Sequence, residues 1–360
     1  MIGEFRGFTA DGKEALGIGN QNSWNYDLFA TDLQTGASRR LTRDPGYTDP
    51  MKSSPDDQWS VVMDGRTTHR LYFLGALPGV PPLIDFASAV ASASLYNGPS
   101  SSSPNGAQRF FEPILIDRYG DRGNYHGQQL NAGGDATPGS GSISDPLWAG
   151  RADPTWSPDG TAIVYWQSLV TAPACGPSNP NLLTCPTSSE PGGRRTRLMI
   201  ASLTSRTAQV HTQPAPVSDE VPWGVEYHGG DAFPQRYFIP AGTYTLRGNS
   251  FGLANVTVTE NSSHTADASV AVTYHDYSND GITVLNGTES VSQTVSLATF
   301  TTSTTFVEDL HVTGCHTGSK LTSDGGFNVT QNLVTGASKR TGTLTTTVDG
   351  NEYSSPPNGA

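Results

Sequence analysis

Two aspartates, Asp49 and Asp153, stand at the start of a phrase that occurs twice in the sequence. Residues 49–64 read DPMKSSPDDQWSVVMD, and residues 153–166 read DPTWSPDGTAIVYW. If each copy folds into the same unit of a ring, the two carboxylates project toward one axis. Hydrolysis of a glycosidic bond needs such a pair, because one protonated acid serves the leaving oxygen while one carboxylate acts as nucleophile or base. The alternative role is structural: each aspartate caps a loop by binding backbone N–H groups.

A second group of candidates lies in residues 117–126, which read DRYGDRGNYH. Asp121 would supply an acid, and Arg122 would hold a carboxylate of the ligand, because a planar guanidinium binds a carboxylate through two N–H donors. We predict that Tyr119 and His126 also contact the substrate. The alternative is an Asp–Arg ladder that only stabilises the loop.

Two glutamates have aromatic neighbours in the sequence. Glu226 lies in WGVEYHGGD, and Glu112 lies in FFEP. Aromatic side chains that remove water from a carboxyl group raise its pKa toward the range of a general acid. We therefore predict Glu226 as a further catalytic residue, with an ordinary linker between domains as the alternative.

Other substrate contacts are predicted close to Asp153. Arg151 lies two residues before it and is a candidate for binding a carboxylate. Trp148 is predicted to stack on the face of a ring in the substrate. Trp156 lies inside the repeated phrase, where packing in a core is the favoured role.

The repeated phrase also predicts the elements that would position these residues. Ser-Pro-Asp-Gly favours a tight turn, since proline presets φ and both aspartate and glycine tolerate the reversal. An apolar, β-branched run follows each turn, and LFATDLQTGASRRLT from Leu28 adds a hairpin and a last strand. Such a unit is a four-stranded propeller blade. A weaker copy, FTADGKEALGIG, begins at Phe8.

We predict an all-β chain with two regions. Residues 1–240 hold propeller blades, and we expect further blades upstream, because the repeat begins in mid-unit and closed propellers have about four blades or more. Residues 241–360 alternate apolar and polar side chains in short runs, which is typical of strands with one face on a core. We expect six to eight strands there, arranged as a β-sandwich or a meander.

The composition and motifs disfavour several classes of protein. The net charge of −12 argues against nucleic-acid binding, since neutralising phosphates requires lysine and arginine. The sequence contains no run of about 18 apolar residues, so we predict no membrane span. The zinc-peptidase, nucleophile-elbow and phosphate-loop motifs do not occur. We predict neither a cofactor nor a metal.

Sequons and cysteines favour an extracellular protein, although the opening residues MIGEF are not a signal peptide. We expect the signal peptide to lie upstream with the missing blades. A disulfide is predicted between Cys175 and Cys185, which flank a loop without secondary-structure pattern, and Cys315 is then left over. Four asparagines in sequons are predicted glycosylation sites: Asn255, Asn261, Asn286 and Asn328.

The phrase D-P-x-W-S-P-D-G with a trailing D-L-x-T-G and L-T resembles the TolB-like, WD40-like propeller repeat. Longer phrases, among them RFFEPILIDRYGDRG and SDPLWAGRADPTWSPDG, are similar to those of the fungal saponin hydrolases. The resemblance implies a secreted glycoside hydrolase that cuts the β-glucuronide bond between a sugar chain and a triterpenoid aglycone. It implies a small-molecule saponin substrate, no nucleic-acid or membrane partner, and a monomer for the full-length protein. The alternative is a non-catalytic TolB-like propeller that binds protein or carbohydrate.

Overall fold

The protein is nearly all β, as the sequence predicts. A computed structural model describes residues 3–22, 25–84, 109, 111–170, 187–210, 216, 218, 220–232, 240–260, 268–332, 334 and 338–355. Within these ranges the strands form four antiparallel sheets, three small and one large. None of the helices in the described part of the chain is long and apolar enough to cross a membrane.

The first sheet, blade 1, is a four-stranded meander in which each strand pairs with the next. Its last hairpin is closed by Asp32, whose Oδ1 atom accepts hydrogen bonds from the backbone N–H groups of Gln34 (2.9 Å) and Thr35 (2.8 Å). Gly36 completes this turn with a φ of 71°, which glycine adopts without steric cost. The strands are β1 (Gly3–Phe8), β2 (Glu14–Gly19), β3 (Asp27–Asp32) and β4 (Ser38–Arg40).

The second and third sheets, blades 2 and 3, contain the two Asp-Pro phrases, whose aspartates lie in the first strand of each sheet. Their Ser-Pro-Asp turns are present: Ser54 donates from Oγ to Asp56 (2.5 Å), and Ser157 donates to Asp159 (2.6 Å). Blade 2 comprises β5 (Thr48–Ser53), β6 (Trp59–Asp64), β7 (Glu112–Asp117) and β8 (Gln128–Gln129). Blade 3 comprises β9 (Trp148–Trp156), β10 (Ala162–Leu169) and β11 (Thr196–Ser202), with a single 3-10 turn at Pro191–Gly193 before β11.

The blades stack in chain order through apolar side chains. Leu16 and Leu28 of blade 1 pack with Val62 and Ile114 of blade 2 in one buried cluster. Successive residues of a strand point to opposite faces, so the neighbour of Val62, Val61, faces the other way. A second set of side chains packs there between blades 2 and 3: Val61, Leu115, Trp156 and Ile163.

The large sheet contains ten strands, more than the six to eight predicted. Within this single sheet, β12 to β17 form a meander in which each strand pairs with the next. The long strand β16 pairs with β15, β17 and β18. Its strands are β12 (Gly242–Arg247), β13 (Phe251–Glu260), β14 (Ala268–Ser278), β15 (Val284–Ser296), β16 (Thr301–Thr313), β17 (Gly318–Thr322), β18 (Phe327–Asn332), β19 (Ser338–Thr341), β20 (Leu344–Val348) and β21 (Asn351–Ser354).

A short helix from blade 2 packs against this large sheet. Helix α1 (Tyr72–Gly75) lies in the connection between β6 and β7 and is wholly buried. Phe73 is 1% exposed and packs edge-on against Phe327, with ring centroids 6.2 Å apart. Its carbonyl accepts a hydrogen bond of 2.8 Å from the Thr346 hydroxyl. The apolar face of the sheet is therefore covered by residues that belong to a blade.

Three charged side chains lie within the buried face of the large sheet. Glu289 of β15 and Glu308 of β16 stand directly opposite each other in the strand register. Both are almost fully buried, as is Lys320 of β17, whose Nζ atom lies 3.6 Å from Glu308 Oε1. Tyr274 donates its hydroxyl hydrogen to Glu289. Burial raises the pKa of Glu308, and the ammonium of Lys320 opposes that rise.

We expect Lys320→Met to lower the free energy of unfolding by about 3–5 kcal/mol, because it leaves buried carboxylates without their cation. Denaturant unfolding at neutral pH measures the loss. The control is the double variant Glu308→Gln/Lys320→Met, which removes both charges and should recover most of the stability. Equal losses in the single and double variants would contradict a role for charge and point to packing alone.

Candidate functional site

The inner strands are the first strands of the three blades, β1, β5 and β9, which lie side by side. Each carries an irregularity at a corresponding place. In β1 the pairing shifts between Phe5 and Gly7, and in β5 it shifts between Thr48 and Met51. In β9 the residues between Arg151 and Thr155 drop out of the register. Such bulges turn side chains away from the sheet and are common beside active sites.

The bulges hold Arg6, Asp49 and Asp153, one on each blade. Pro50 and Pro154 follow the two aspartates, and proline favours an interruption because it has no N–H group for the ladder. Strand β5 lies against both β1 and β9, so the bulges occupy neighbouring strands. The two aspartates of the repeated phrase therefore stand at equivalent positions of adjacent blades.

Asp49 is buried beside one cation and one hydroxyl. Its Oδ1 atom forms an ion pair with Arg6 of the first blade, and its Oδ2 atom accepts a hydrogen bond of 3.0 Å from the Tyr47 hydroxyl. Burial raises the pKa of Asp49 to about 6, even though Arg6 and Tyr47 favour the ionised form. This carboxyl group thus exchanges its proton in mildly acidic solution.

The backbone of Tyr47 is strained, and aromatic packing holds it in place. Its φ of 69° lies in the left-handed region, which is unfavourable for a bulky side chain. The ring stacks on Phe111 at 5.4 Å between centroids and meets Tyr26 edge-on at 5.8 Å. Residues kept in such conformations cluster at functional sites, and here the strained residue donates the hydrogen bond to Asp49.

Asp153 and Arg151 have different surroundings in blade 3. Asp153 is exposed to solvent. Arg151 is half-buried, donates from Nε to the Ser168 hydroxyl at 2.7 Å, and has no acceptor for its buried Nη1 atom among the described residues. Burial lowers the pKa of Arg151 to about 10, which still leaves it charged at neutral pH. A half-buried guanidinium with an unused donor suits the binding of an anion.

Asp121 belongs to an Asp–Arg ladder, which was the structural alternative to a catalytic role for this loop. Its carboxylate is 4% exposed and receives Arg66 through two hydrogen bonds, of 2.9 Å and 3.1 Å. The backbone N–H of Arg43 donates to the same group at 2.9 Å. Arg66 also binds Asp64, so Asp121 is tied into the framework between blades 1 and 2.

Arg122, Tyr119 and His126 stand on the surface beside this ladder. Arg122 binds Asp117 through two hydrogen bonds, of 2.8 Å and 2.6 Å, and lies over the ring of Tyr125 at 4.4 Å. Tyr119 is 67% exposed. The carbonyl of His126 accepts from Arg66, while its side chain is exposed. The guanidinium of Arg122 is already occupied by a carboxylate of the chain.

Two expectations about aromatic surroundings were wrong. Glu226 is not desolvated: its side chain is 84% exposed, with His228 at 3.6 Å. Trp148 is fully buried beneath the Arg197 guanidinium, which lies 4.4 Å from its ring, so it offers no face to a substrate. Trp156 packs in the core between blades 2 and 3, as predicted. For Glu226 and Trp148, the residues next to them in the sequence did not predict which residues surround them in the fold.

Glu112 is buried as its aromatic setting suggested, but it is paired. Arg109 forms an ion pair with it, and Asn131 donates to its Oε2 atom. Burial raises the pKa of Glu112. The pairing makes it a structural group that joins blade 2 to the loop after β8.

Two desolvated aspartates between blades 1 and 2 were not predicted from the sequence. Asp44 accepts a hydrogen bond of 2.7 Å from the Tyr72 hydroxyl, and burial and the charge of Asp64 raise its pKa to about 7. Asp27 is fully buried against Arg40, and burial raises its pKa to about 7. Asp44 precedes a proline, so one of the four Asp-Pro pairs in the sequence was the available signal.

The predicted modification sites are described in part. Cys175, Cys185 and Asn261 lie outside the described residues. Cys315 is a free, exposed thiol. Asn255 is exposed on β13, whereas the Asn286 and Asn328 amides are half-buried and hydrogen-bonded to neighbouring side chains.

The fold and the inner strands define an all-β protein of stacked antiparallel blades joined to a large meander sheet, with charged groups at the blade bulges. No protein-family model matches the chain, and no curated protein matches it. The saponin-hydrolase resemblance therefore stays a prediction from the quoted phrases.

We expect the protein to be most stable near pH 4–5. The pKa values of Asp27 and Asp44 are raised to about 7 and that of Asp49 to about 6, so the folded chain binds more protons than the unfolded chain above pH 4. Stability then falls as pH rises through this window. Below it, stability falls again as carboxylates with a lowered pKa are protonated, such as Asp280 with a pKa of about 2.

Chemical denaturation from pH 3 to pH 8 measures this profile. Asp44→Asn should flatten the decline between pH 4 and pH 7, while the exposed control Asp309→Asn should leave it unchanged. A free energy of unfolding that increases from pH 4 to pH 7 would show that these carboxyl groups are not desolvated in solution.

Proposed function

We propose that the protein is a glycoside hydrolase that cleaves the β-glucuronide bond between a sugar chain and a triterpenoid aglycone. The observation that carries the proposal is the contrast between two equivalent aspartates. Asp49 is buried and has a pKa of about 6, whereas Asp153 is exposed on the neighbouring inner strand. Two carboxyl groups in different environments are what acid–base cleavage of a glycoside requires.

Asp49 is the proposed general acid. With a pKa of about 6, it holds its proton in mildly acidic solution and can transfer it to the leaving oxygen. The carboxylate that remains is stabilised by the guanidinium of Arg6 and by the Tyr47 hydroxyl at 3.0 Å. The strained Tyr47 thus holds its hydroxyl where it donates a hydrogen bond to the negatively charged carboxylate of Asp49.

Asp153 is the proposed nucleophile or base. Solvent exposure keeps its carboxylate accessible to a sugar carbon or to a water molecule. Which role it takes depends on its separation from Asp49 in the substrate complex. About 5–5.5 Å gives retention of the anomeric configuration, and about 6.5–9.5 Å leaves room for water and gives inversion.

Arg151 is the proposed anchor for the carboxylate of the glucuronic acid. It lies two residues before Asp153 and has an unused N–H donor on its buried Nη1 atom. The fork of a guanidinium fixes a planar carboxylate in one orientation. The sugar would then present its anomeric bond to the neighbouring bulge.

The second candidate is a non-catalytic propeller that binds carbohydrate or protein. The ion pair between Arg6 and Asp49 favours it, because a carboxyl group already held by a cation of the chain is less available for proton transfer. In this case Arg151 and Asp153 would bind a ligand without any turnover.

The test is hydrolysis of a glucuronide-bearing saponin by the wild-type protein and by two variants, Asp49→Asn and Asp153→Asn. Each substitution should reduce kcat by about 10²–10⁴, the usual contribution of an acid or base group. The matched control is Asp309→Asn on the large sheet, whose side chain is 68% exposed and which should keep wild-type activity. Saponin binding without sugar release by the folded wild type would favour the second candidate.

A second experiment separates proton transfer from binding. Tyr47→Phe removes the hydrogen bond that favours ionised Asp49, so the pKa of Asp49 should rise. The upper limb of the pH profile of kcat should then move to higher pH. An unchanged limb in an active, folded variant would remove Asp49 from the role of general acid.

A further inference from the structure

The charged cluster inside the large sheet takes no part in the proposed catalysis. Its members Glu289, Glu308 and Lys320 are 1%, 3% and 1% exposed. Both carboxylate oxygens of Glu308 are buried and accept no hydrogen bond within the described part of the chain. A buried carboxyl group in that condition is uncommon in folded proteins and calls for a chemical reason.

Strand register puts the three side chains on one face of the sheet. Glu289 of β15 stands opposite Glu308 of β16. Lys320 of β17 stands opposite Leu310, which lies two residues after Glu308 and therefore projects from the same face of β16. The Nζ atom of Lys320 lies 3.6 Å from Oε1 of Glu308. This separation exceeds that of an ordinary hydrogen bond, and it brings the amine beside an oxygen that is bonded to the carboxyl carbon.

The surroundings of the cluster exclude water. Phe306, two residues before Glu308 on the same face, is 1% exposed. Thr346 is the register partner of Lys320 on β20, and its hydroxyl is bound to the Phe73 carbonyl of the buried helix α1. Separated charges are costly in such an interior, so a reaction that replaces an ammonium and a carboxylate by a neutral group is favoured there.

We propose that the side chains of Lys320 and Glu308 join in an amide bond, and that Glu289 carries the protons of the reaction. The bond would cross-link β16 to β17. It is a modification of the chain by its own residues, and it goes beyond the proposed function.

The reaction releases one water molecule and needs no other reagent. A proton first passes from the ammonium of Lys320 to Glu308, which leaves a neutral amine and a neutral carboxyl group. The lone pair of Nζ then attacks Cδ of Glu308, and an N–C bond forms. The nitrogen gives one proton to the carboxylate of Glu289, which returns it to the departing hydroxyl group. The C–O bond breaks with its electron pair on oxygen, water leaves, and no atom is oxidised or reduced.

The positions of the groups suit these roles. Burial raises the pKa of Glu308, which favours the protonated carboxyl group that an amine attacks. Directly opposite residues in antiparallel strands have Cβ atoms about 4.5–5.5 Å apart, so the carboxyl group of Glu289 can reach that of Glu308. The Tyr274 hydroxyl donates to Glu289 and orients it. Groups held together in this way react as if at an effective concentration of about 10⁵–10⁸ M.

The bond is compatible with the stability loss expected for Lys320→Met, because that variant leaves the same carboxyl groups buried without a cation. The double variant Glu308→Gln/Lys320→Met lacks the bond as well as the charges. The stability that it does not recover is then the contribution of the bond.

Trypsin digestion of the wild-type protein, produced without N-glycosylation, tests the proposal directly. No lysine or arginine occurs in residues 248–319 or 321–338, and trypsin does not cut after a lysine whose amine is acylated. The digest should therefore contain residues 248–339 as one peptide that is lighter than its sequence by one water molecule. An ordinary ion pair would give separate peptides of residues 248–320 and 321–339.

Intact masses of the denatured variants identify the reacting groups. Lys320→Met lacks the amine and Glu289→Gln lacks the proton carrier, so each should have the full mass of its sequence. The matched control is Lys339→Met at an exposed position of β19, which should lack one water molecule as the wild type does.

Three results would overturn the proposal. A folded wild type that yields the two separate peptides has no bond. A missing water that persists in Lys320→Met arises elsewhere, for instance at an Asp-Gly pair. A bond that forms in full in Glu289→Gln removes Glu289 from the reaction. The wild-type digest decides the matter even where a variant fails to fold, and none of these readouts depends on the hydrolysis of a saponin.

Discussion

A sheet whose middle strands are apolar on both faces has to be covered on both faces, and this constraint organises the protein. Val61 and Val62 are consecutive residues that are both fully buried, which is possible only because a blade lies on each side of them. The requirement sets the stacking of the blades. The stacking in turn brings the inner strands side by side, so that Arg6 of one blade reaches Asp49 of the next.

The stacking also determines the electrostatics where two blades meet. Covering the ends of the strands removes water from carboxyl groups there, and arginines pair with two of them: Arg40 with Asp27 and Arg66 with Asp64. The carboxyl group of Asp44 accepts a hydrogen bond from the Tyr72 hydroxyl. A chain with a net charge of −12 thus has cations buried where the sheets meet, and its surface carries the excess of acid.

The sequence predicted what was local and repeated. The Ser-Pro-Asp turns, the all-β class and the equivalent placement of Asp49 and Asp153 follow from the phrase itself, because turn chemistry and proline act within a few residues. Contacts between distant segments left no such signal. Glu289 faces Glu308 because of strand register, and Trp148 is buried by Arg197, which lies far away in the sequence. Glu226 shows the converse error: its aromatic neighbours in the sequence predicted burial, but they do not cover its side chain.

The helix between β6 and β7 ties the beginning of the chain to its end. Phe73 accepts its hydrogen bond from Thr346, which is 273 residues later. At about 5–20 residues per second, a ribosome takes on the order of 10–60 s to make the intervening chain. For that time the apolar face of the helix lacks its cover, although blade 1 has already been synthesised and the rest of blade 2 soon follows. The nascent protein therefore has a built-in period of exposure, in which a chaperone has the greatest effect on yield.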